Sequence, residues 1–560
     1  MTKNQKLELT WIGKDIQPKL EPRILIEDPD KSYGDRNTEN MLIFGDNLLA
    51  LKALEQEFTG RIKCIYIDPP YNTGSAFTHY DDGLEHSLWL SLIRDRLEIL
   101  WKLLHKDEGS LWISIDDYEM PYLRVLLDEI CGRGCFLACN VWQKRYSREN
   151  REAIGDAHEY VLLYVKDPKI FKQNRNKQPL GPKQLSVYKN SNNDPKGPWR
   201  SVSLSAQGYR PNQMYEIVSP TTGKRHKPPE GSCWKIIEPE YKRALEEGRM
   251  YFGKDGNAVP SRIQYLKDIE GMAPWTWWPH DEVGHTDESK KEIQALFGKT
   301  DTFDTPKPER LIERILHISS NPGDLILDSF AGSGTTGAVA HKMGRKWIMV
   351  ELGEHCHTHI QPRLQKVCDG TDQGGISKAT NWQGGGGFKY YYMAPSLLKK
   401  DRYDQWVINE EYNPTMMAAA MAKHENFHYC PDEVCYWKQG KSSEKDYIFT
   451  TTAHMTPEHL DRVHEEMQHD ESLLICCKSH FEGADSKYSN ITVKKIPSML
   501  LGKCEFDRDD YSLNIVNMPR NPDEPDFVPS GPPVIESKKD EKKTQVDKSG
   551  QMNIFAGTGE

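Results

Sequence analysis

The 560-residue chain is long enough for about three to four domains. Its 37% apolar and 10% aromatic content builds a core that a disordered chain lacks. It has no run of 18 apolar residues and no apolar leader behind Met1, so neither a membrane span nor a signal peptide is read and a cytoplasmic protein is expected. The net charge of −10 is uneven: 401–560 carry 18 Lys and Arg against 29 Asp and Glu, whereas 140–230 carry 17 against 8. A local basic excess is the footprint of phosphate contacts, and equally of a merely solvated face.

Residues 1–40 form an N-terminal segment, and 41–170 alternate strands with helices. Met41-Leu42-Ile43-Phe44 reads as a strand, with Asp46 or Asn47 capping the helix that follows. Residues 62–67 read as the next strand, 88–104 as an amphipathic helix, and 110–115 and 160–165 as further strands. This alternation predicts an α/β parallel sheet. Cys131, Cys135 and Cys139 recur every four residues, as on one helical face. From 171 to 300 the chain becomes rich in Gly, Pro, Asn and Trp without long periodic helices, and reads as an inserted, loop-rich domain. Trp275, Trp277 and Trp278 there suit base stacking or ordinary core packing.

The α/β pattern returns over 301–395, with a helix at 309–318, a strand at 324–327, a helix through Met343 and a strand at 347–350 closed by Glu351. The cluster His355, Cys356, His357, His359 lacks a second ligand pair at zinc spacing, so no metal is assigned; buried thiols and surface histidines are expected. Residues 396–520 have strands of their own, and Thr456-Pro457 opens a helix. Residues 521–560 read as a disordered tail.

Two constellations carry chemistry. Asp328-x-Phe330-x-Gly332-x-Gly334 stands between a strand and a helix, where glycines admit a ligand close to the backbone and the helix N-terminus is electropositive. Glu351 ends the next strand, where a carboxylate accepts from ribose hydroxyls. This half suits a dinucleotide as well as S-adenosylmethionine; without a Gly-Lys-Thr it is not a P-loop. The second is Asp68-Pro69-Pro70-Tyr71 at a strand end. Two prolines make a rigid turn that presents a carboxylate and a ring at the ligand-binding edge. The Asp68 carboxylate and the Pro69 carbonyl can accept both N–H groups of an adenine amino group. That localises its lone pair toward an incoming methyl, while Tyr71 stacks on a base swung out of the duplex.

Together the motifs resemble the amino-group DNA methyltransferases. The catalytic motif precedes the cofactor motif, as in the beta class. Tyr66 through Gly74, Trp142 through Ser147, Thr305-Pro306-Lys307-Pro308-Glu309-Arg310 and Gly385-Gly386-Gly387-Phe388 are similar to the modification subunits of type III restriction systems. The resemblance implies a Rossmann-like fold of permuted motif order that uses S-adenosylmethionine, with a target-recognition insertion at 171–300 and a smaller α/β domain after 396. It implies adenine-N6 methylation of double-stranded DNA. It further implies that Asp46 contacts the cofactor's adenine, that Thr305 and Lys307 lie near its methionine end, and that Asp328, Phe330, Gly332, Gly334, Thr335 and Glu351 complete its site. Lys144, Arg145 and Arg148 are candidates for DNA phosphates. A homodimer or a helicase-nuclease restriction subunit is the implied protein partner.

An N4-cytosine methyltransferase stays open, although its motif more often begins with Ser. A C5-cytosine enzyme needs a cysteine nucleophile, usually after proline, and the chain has no Pro-Cys. A catalytically silent recognition subunit is the other alternative; the intact Asp68, Tyr71, Phe330 and Gly334 speak against it. At 551–555, Gln551-Met552-Asn553-Ile554-Phe555 resembles the peptide by which bacterial proteins dock on the replication sliding clamp.

Overall fold

The run Cys64-Ile65-Tyr66-Ile67 is buried on both sides, as a strand must be at the centre of a sheet covered on both faces. The computed structural model describes residues 8–71, 86–147, 153–190, 192–299, 303, 305–443 and 445–512. Among the described residues, ten strands make the main sheet: β1 (Leu25–Gly34), β2 (Met41–Phe44), β3 (Cys64–Ile67), β4 (Ser110–Ile115), β5 (Phe136–Gln143), β6 (His158–Val165), β7 (Trp277–Trp278), β8 (Leu325–Asp328), β9 (Lys346–Glu351) and β10 (Gly387–Met393). Their order is β1-β10-β2-β9-β8-β3-β4-β6-β5-β7.

The sheet is mixed, which corrects the parallel expectation. β6 runs antiparallel to β4 and β5, and β1 runs antiparallel to β10. The other neighbouring pairs are parallel. Sequence-distant β3 and β8 pair at the centre, Ile326 opposite Cys64. From β3 the chain crosses through α2 (His86–Leu103) to β4; from β8 it crosses through α4 (Thr335–Lys342) to β9 on the opposite side. The crevice between the carboxyl ends of β3 and β8 is therefore a topological switch point, where open α/β sheets bind ligands.

Strand alternation divides the core. Ile65, Ile67, Ile113, Leu327 and Val350 pack against α1 (Asn47–Phe58) and α2, while Tyr66, Trp112, Ile326 and Met349 pack against α3 (Glu309–Ser319) and α5 (Gln361–Cys368). The α3 residues Leu311, Ile312, Ile315 and Leu316 recur at helical spacing and are all buried. Cys131, Cys135 and Cys139 do not share a helical face: they lie in a short helical turn, in the next turn and on β5.

Within the insertion, three small sheets and helix Glu238–Glu246 surround a core of their own that includes Leu204, Ile217, Trp234 and Phe252. The chain then returns earlier than its composition indicates. Trp277–Trp278 pairs with Val141 and Trp142 as the edge of the main sheet. Helix Thr286–Phe297 is tied to α3 by an ion pair between Glu288 and Arg310 and by Glu292 Oε2 accepting from the Glu309 amide. Trp278 is core, its ring 6.0 Å from that of Trp112, whereas Trp275 and Trp277 are exposed.

The C-terminal part forms a five-stranded sheet. Its strands Asp446–Met455, Ser472–His480 and Ile491–Lys495 are parallel, and Thr456 caps helix Pro457–Glu466 as expected. The clamp-like segment 551–555 and Arg148 lie outside the described residues.

Candidate active site

β3 delivers Asp68 to the carboxyl edge of the sheet, and Pro69-Pro70 ends the strand there. Trp89, buried on α2, donates its indole N–H to the Pro70 carbonyl at 2.8 Å and so fixes the turn. The Tyr71 hydroxyl donates to Asp68 Oδ1 at 2.8 Å. Lys307, just before α3, brings its ammonium to 2.8 Å from Asp68 Oδ2 and donates to the Tyr71 hydroxyl at 3.1 Å. Burial raises the Asp68 carboxyl and Glu159 adds to that, against the opposing Lys307 charge. Burial, then Asp68 and Glu159, hold the Tyr71 phenol well above its ordinary range, so it remains a donor.

β8 delivers Asp328 beside this turn. Its carboxylate accepts from the Phe330 amide at 2.9 Å and the Thr336 hydroxyl at 2.6 Å, which folds the glycine loop back on the strand. Burial pushes its carboxyl up to about 7, with Asp68 and Glu351 adding to the rise. Gly334 caps α4 at φ 76°, and a Cβ there would meet Ile360 Cγ2 at 3.0 Å, not the ligand space. Gly332, at φ 53°, is the glycine that lines the space, with the Phe303 ring facing it. Thr335 Oγ1 donates to the Lys307 carbonyl and accepts from the buried Arg363, joining the cofactor loop to the Lys307 segment.

Both halves line one cavity of about 390 Å³, which reaches from Asp68 and Tyr71 past Thr305, Lys307 and Phe330 to Glu351. Its donors and acceptors distinguish between the ligands the glycine loop admits. The Gly332 amide donates to Glu351 Oε2 at 2.8 Å, and the Phe330 amide to Asp328. A pyrophosphate needs such amides, and here carboxylates already hold them. A cationic ligand carrying a ribose suits the carboxylates. Burial works to raise the Glu351 carboxyl, but His355 and the amides of Gly353 and Gly332 outweigh it, so it stays below its ordinary value.

Several sequence expectations are displaced. Asp46 does not line the cavity. One of its oxygens caps α1 through the Leu48 and Leu49 amides; the other accepts from the Tyr511 amide at 3.1 Å and pairs with Arg96. Lys144 sits between Asp156 at 2.6 Å and Glu159 at 3.3 Å, while Arg145 is exposed. His355 and His359, expected at the surface, are buried against the cavity. Glu159, Phe303 and Arg363 are site residues that sequence reasoning missed. Glu159 opens β6, and a parallel β6 would carry it to the opposite edge; only the reversed strand brings it to Asp68.

A Rossmann-like sheet with its halves in permuted order, and an acidic turn facing a glycine loop across one cavity, define a methyltransferase fold. The chain belongs to the DNA methylase family, whose profile matches residues 62–362. It is 32% identical over 372 residues to the type III restriction-modification enzyme StyLTI Mod subunit of Salmonella typhimurium, covering 59% of this chain and 55% of that one. It is 30% identical over 371 residues to the type II methyltransferase M.KpnI of Klebsiella pneumoniae, covering 60% and 86%. Among solved structures, the cytosine-N4-specific PvuII DNA methyltransferase matches at 16% identity and a TM-score of 0.32, covering 62% and 90%. The chain spans about half the length of the type III relatives it matches first.

Proposed function

We propose that the protein transfers a methyl group from S-adenosylmethionine to adenine N6 in double-stranded DNA, as the modification component of a restriction-modification system. The observation that carries this reading is the shared cavity, in which Asp68 and Tyr71 face the carboxylate-held glycine loop. S-adenosylmethionine, when bound, supplies a methyl group already activated on a sulfonium. Glu351 would accept from its ribose, Gly332 and Phe330 would line its binding space, and Thr305 and Lys307 would lie toward its methionine end.

The chain's own task is to prepare the amine. An adenine amino group is a poor nucleophile because its lone pair is delocalised into the ring. Asp68 and the Pro69 carbonyl accept its two N–H groups, which turns the lone pair out of the ring system. The Tyr71 ring supports the extruded base by stacking. Asp68 in place of Ser favours adenine over cytosine as the target.

The loop-rich segment from 171 to about 276 is proposed to read the DNA sequence, with Arg145 and Arg148 on flanking phosphates. A homodimer and a restriction subunit are the proposed assembly partners. The tail at 551–555 is proposed to dock on the sliding clamp; a synthetic tail peptide that fails to bind purified clamp at high micromolar concentration removes that idea.

The activity is tested by incubating the full chain with S-[methyl-³H]adenosylmethionine and unmethylated genomic DNA, then digesting the DNA to nucleosides. Label in N6-methyl-2′-deoxyadenosine is expected. Label in N4-methyl-2′-deoxycytidine overturns the choice of base, and no label overturns the activity.

A further inference from the structure

Glu159 is nearly buried and lies on the wall of the cavity that holds Asp68. Its Oε2 accepts from the Tyr71 hydroxyl at 3.2 Å and lies 3.5 Å from the Lys307 ammonium. Lys307 therefore stands between two carboxylates, with Asp68 the nearer at 2.8 Å. The Tyr71 hydroxyl likewise reaches both. An ammonium paired with Asp68 alone would draw on the electron density that Asp68 must offer the target amine. A second carboxylate on the same cation divides that pull.

We propose that Glu159 is a positioning residue for methyl transfer: it holds the Lys307 ammonium and the Tyr71 hydroxyl against their pull on Asp68, so that Asp68 remains a strong acceptor. This rests on the reading of Asp68 as the acceptor of the target amino group. Among the described residues, the groups facing Asp68 are Lys307 from the segment before α3, Tyr71 from its own turn, Tyr66 from β3, Glu159 from β6 and Asp328 from β8. Those facing Glu159, again among the described residues, are Lys307, Tyr71, Tyr66, Asp116 beyond β4, and Lys144 beyond β5, which is itself bridged to Asp156. Glu159's negative charge raises the Asp68 carboxyl and Lys307 lowers it. Removing the Glu159 charge leaves Lys307 to Asp68 and makes Asp68 the weaker base.

The test is the pH profile of single-turnover transfer of tritiated methyl to unmethylated genomic DNA by the full chain. Glu159→Gln should slow the plateau rate roughly tenfold and move the acid limb to lower pH, by about one pH unit. Glu159→Asp, which keeps the charge, should return the limb and most of the rate. A normal rate in Glu159→Gln overturns the proposal. So does a slow rate with an unmoved limb, which marks a merely structural residue. If Glu159→Gln does not fold, Glu159→Ser, which also removes the charge, carries the test: its limb should likewise move to lower pH, and an unmoved limb overturns the proposal. Asp68→Asn is measured alongside. Retained transfer there rejects the reading of Asp68 itself, whereas lost transfer beside a normal Glu159→Gln rejects only the role of Glu159.

Discussion

The Gly332 amide donates to Glu351 Oε2 at 2.8 Å, across the ends of neighbouring strands β8 and β9. The glycine loop is thus held by the carboxylate that would grip the cofactor's ribose. Glu351→Ala should weaken S-adenosylmethionine binding about 10–100-fold, since hydrogen bonds to charged groups contribute about 1.5–3 kcal/mol. Calorimetric titration checks this, and an unchanged affinity in a folded variant rejects the ribose role.

The two glycines of the loop should separate. Gly332 faces the cavity, so Gly332→Val should reduce cofactor affinity. Gly334 packs on Ile360 at positive φ, so Gly334→Leu should act first on stability. A left-handed conformation costs a non-glycine residue about 1–2 kcal/mol, and the crowding at Ile360 adds to that. Thermal melts should show Gly334→Leu destabilised by several degrees, and calorimetry should show Gly332→Val impaired in binding. The reverse pattern would contradict the loop geometry.

Asp328 gives the site a pH dependence. Its folded value of about 7 stands above the ordinary 3.8. Between those values the native state binds more protons than the unfolded state, so this group's contribution to stability falls as pH rises through that window. A cationic ligand favours the ionised form, so S-adenosylmethionine affinity should rise with pH through about 7, by up to ~10-fold per pH unit. Asp328→Asn should flatten this dependence. Calorimetry from pH 6 to 8 checks it, and a flat profile in the unmutated protein counts against the assignment.

The two motifs were legible because their chemistry is local: Pro69-Pro70 must end a strand, and Gly332 and Gly334 must turn one. What the sequence concealed depends on distant partners. Period-2 burial is the same in parallel and antiparallel strands, so nothing in the apolar run of β6 marks its direction, and Glu159 was lost with it. Asp46 was legible as a helix cap. The partner that occupies its second oxygen, Tyr511, is 465 residues away. The insertion was overextended because its last tryptophans share the composition of the loops before them, yet Trp278 belongs to the main core.

Lys144 and Arg145 are adjacent but should differ in their effect on DNA. The Lys144 side chain is mostly buried between Asp156 and Glu159, whereas the Arg145 side chain stands at the solvent surface, where a phosphate can reach it. Arg145→Ala should weaken binding to all sequences and reduce the salt slope by about one. Lys144→Ala should leave the slope nearly unchanged. Fluorescence anisotropy across a salt series distinguishes them, and a slope change in Lys144→Ala equal to that of Arg145→Ala would place Lys144 on a phosphate.

Asp68 and Tyr71 share one hydrogen bond but have different tasks. Asp68→Ala removes an acceptor needed most as the amine rehybridises in the transition state. Its rate should fall about 10²–10³-fold, the scale of losing one preorganised hydrogen bond to developing charge, or about 2.7–4 kcal/mol. Cofactor and DNA affinity should stay close to normal, because Glu351, Gly332 and the phosphate contacts supply them. Tyr71→Ala removes a stacking surface of about 1–3 kcal/mol, so it should weaken binding of the extruded base as well as turnover. Tyr71→Phe keeps the ring. It also removes a donor from Asp68 Oδ1 and leaves that oxygen to the substrate amine, so much of the activity should survive. Single-turnover transfer of tritiated methyl, beside DNA binding for each variant, separates these outcomes. Near-normal turnover by Asp68→Ala would sink the mechanism, and a Tyr71→Phe variant as inactive as Tyr71→Ala would shift the role of Tyr71 from its ring to its hydroxyl.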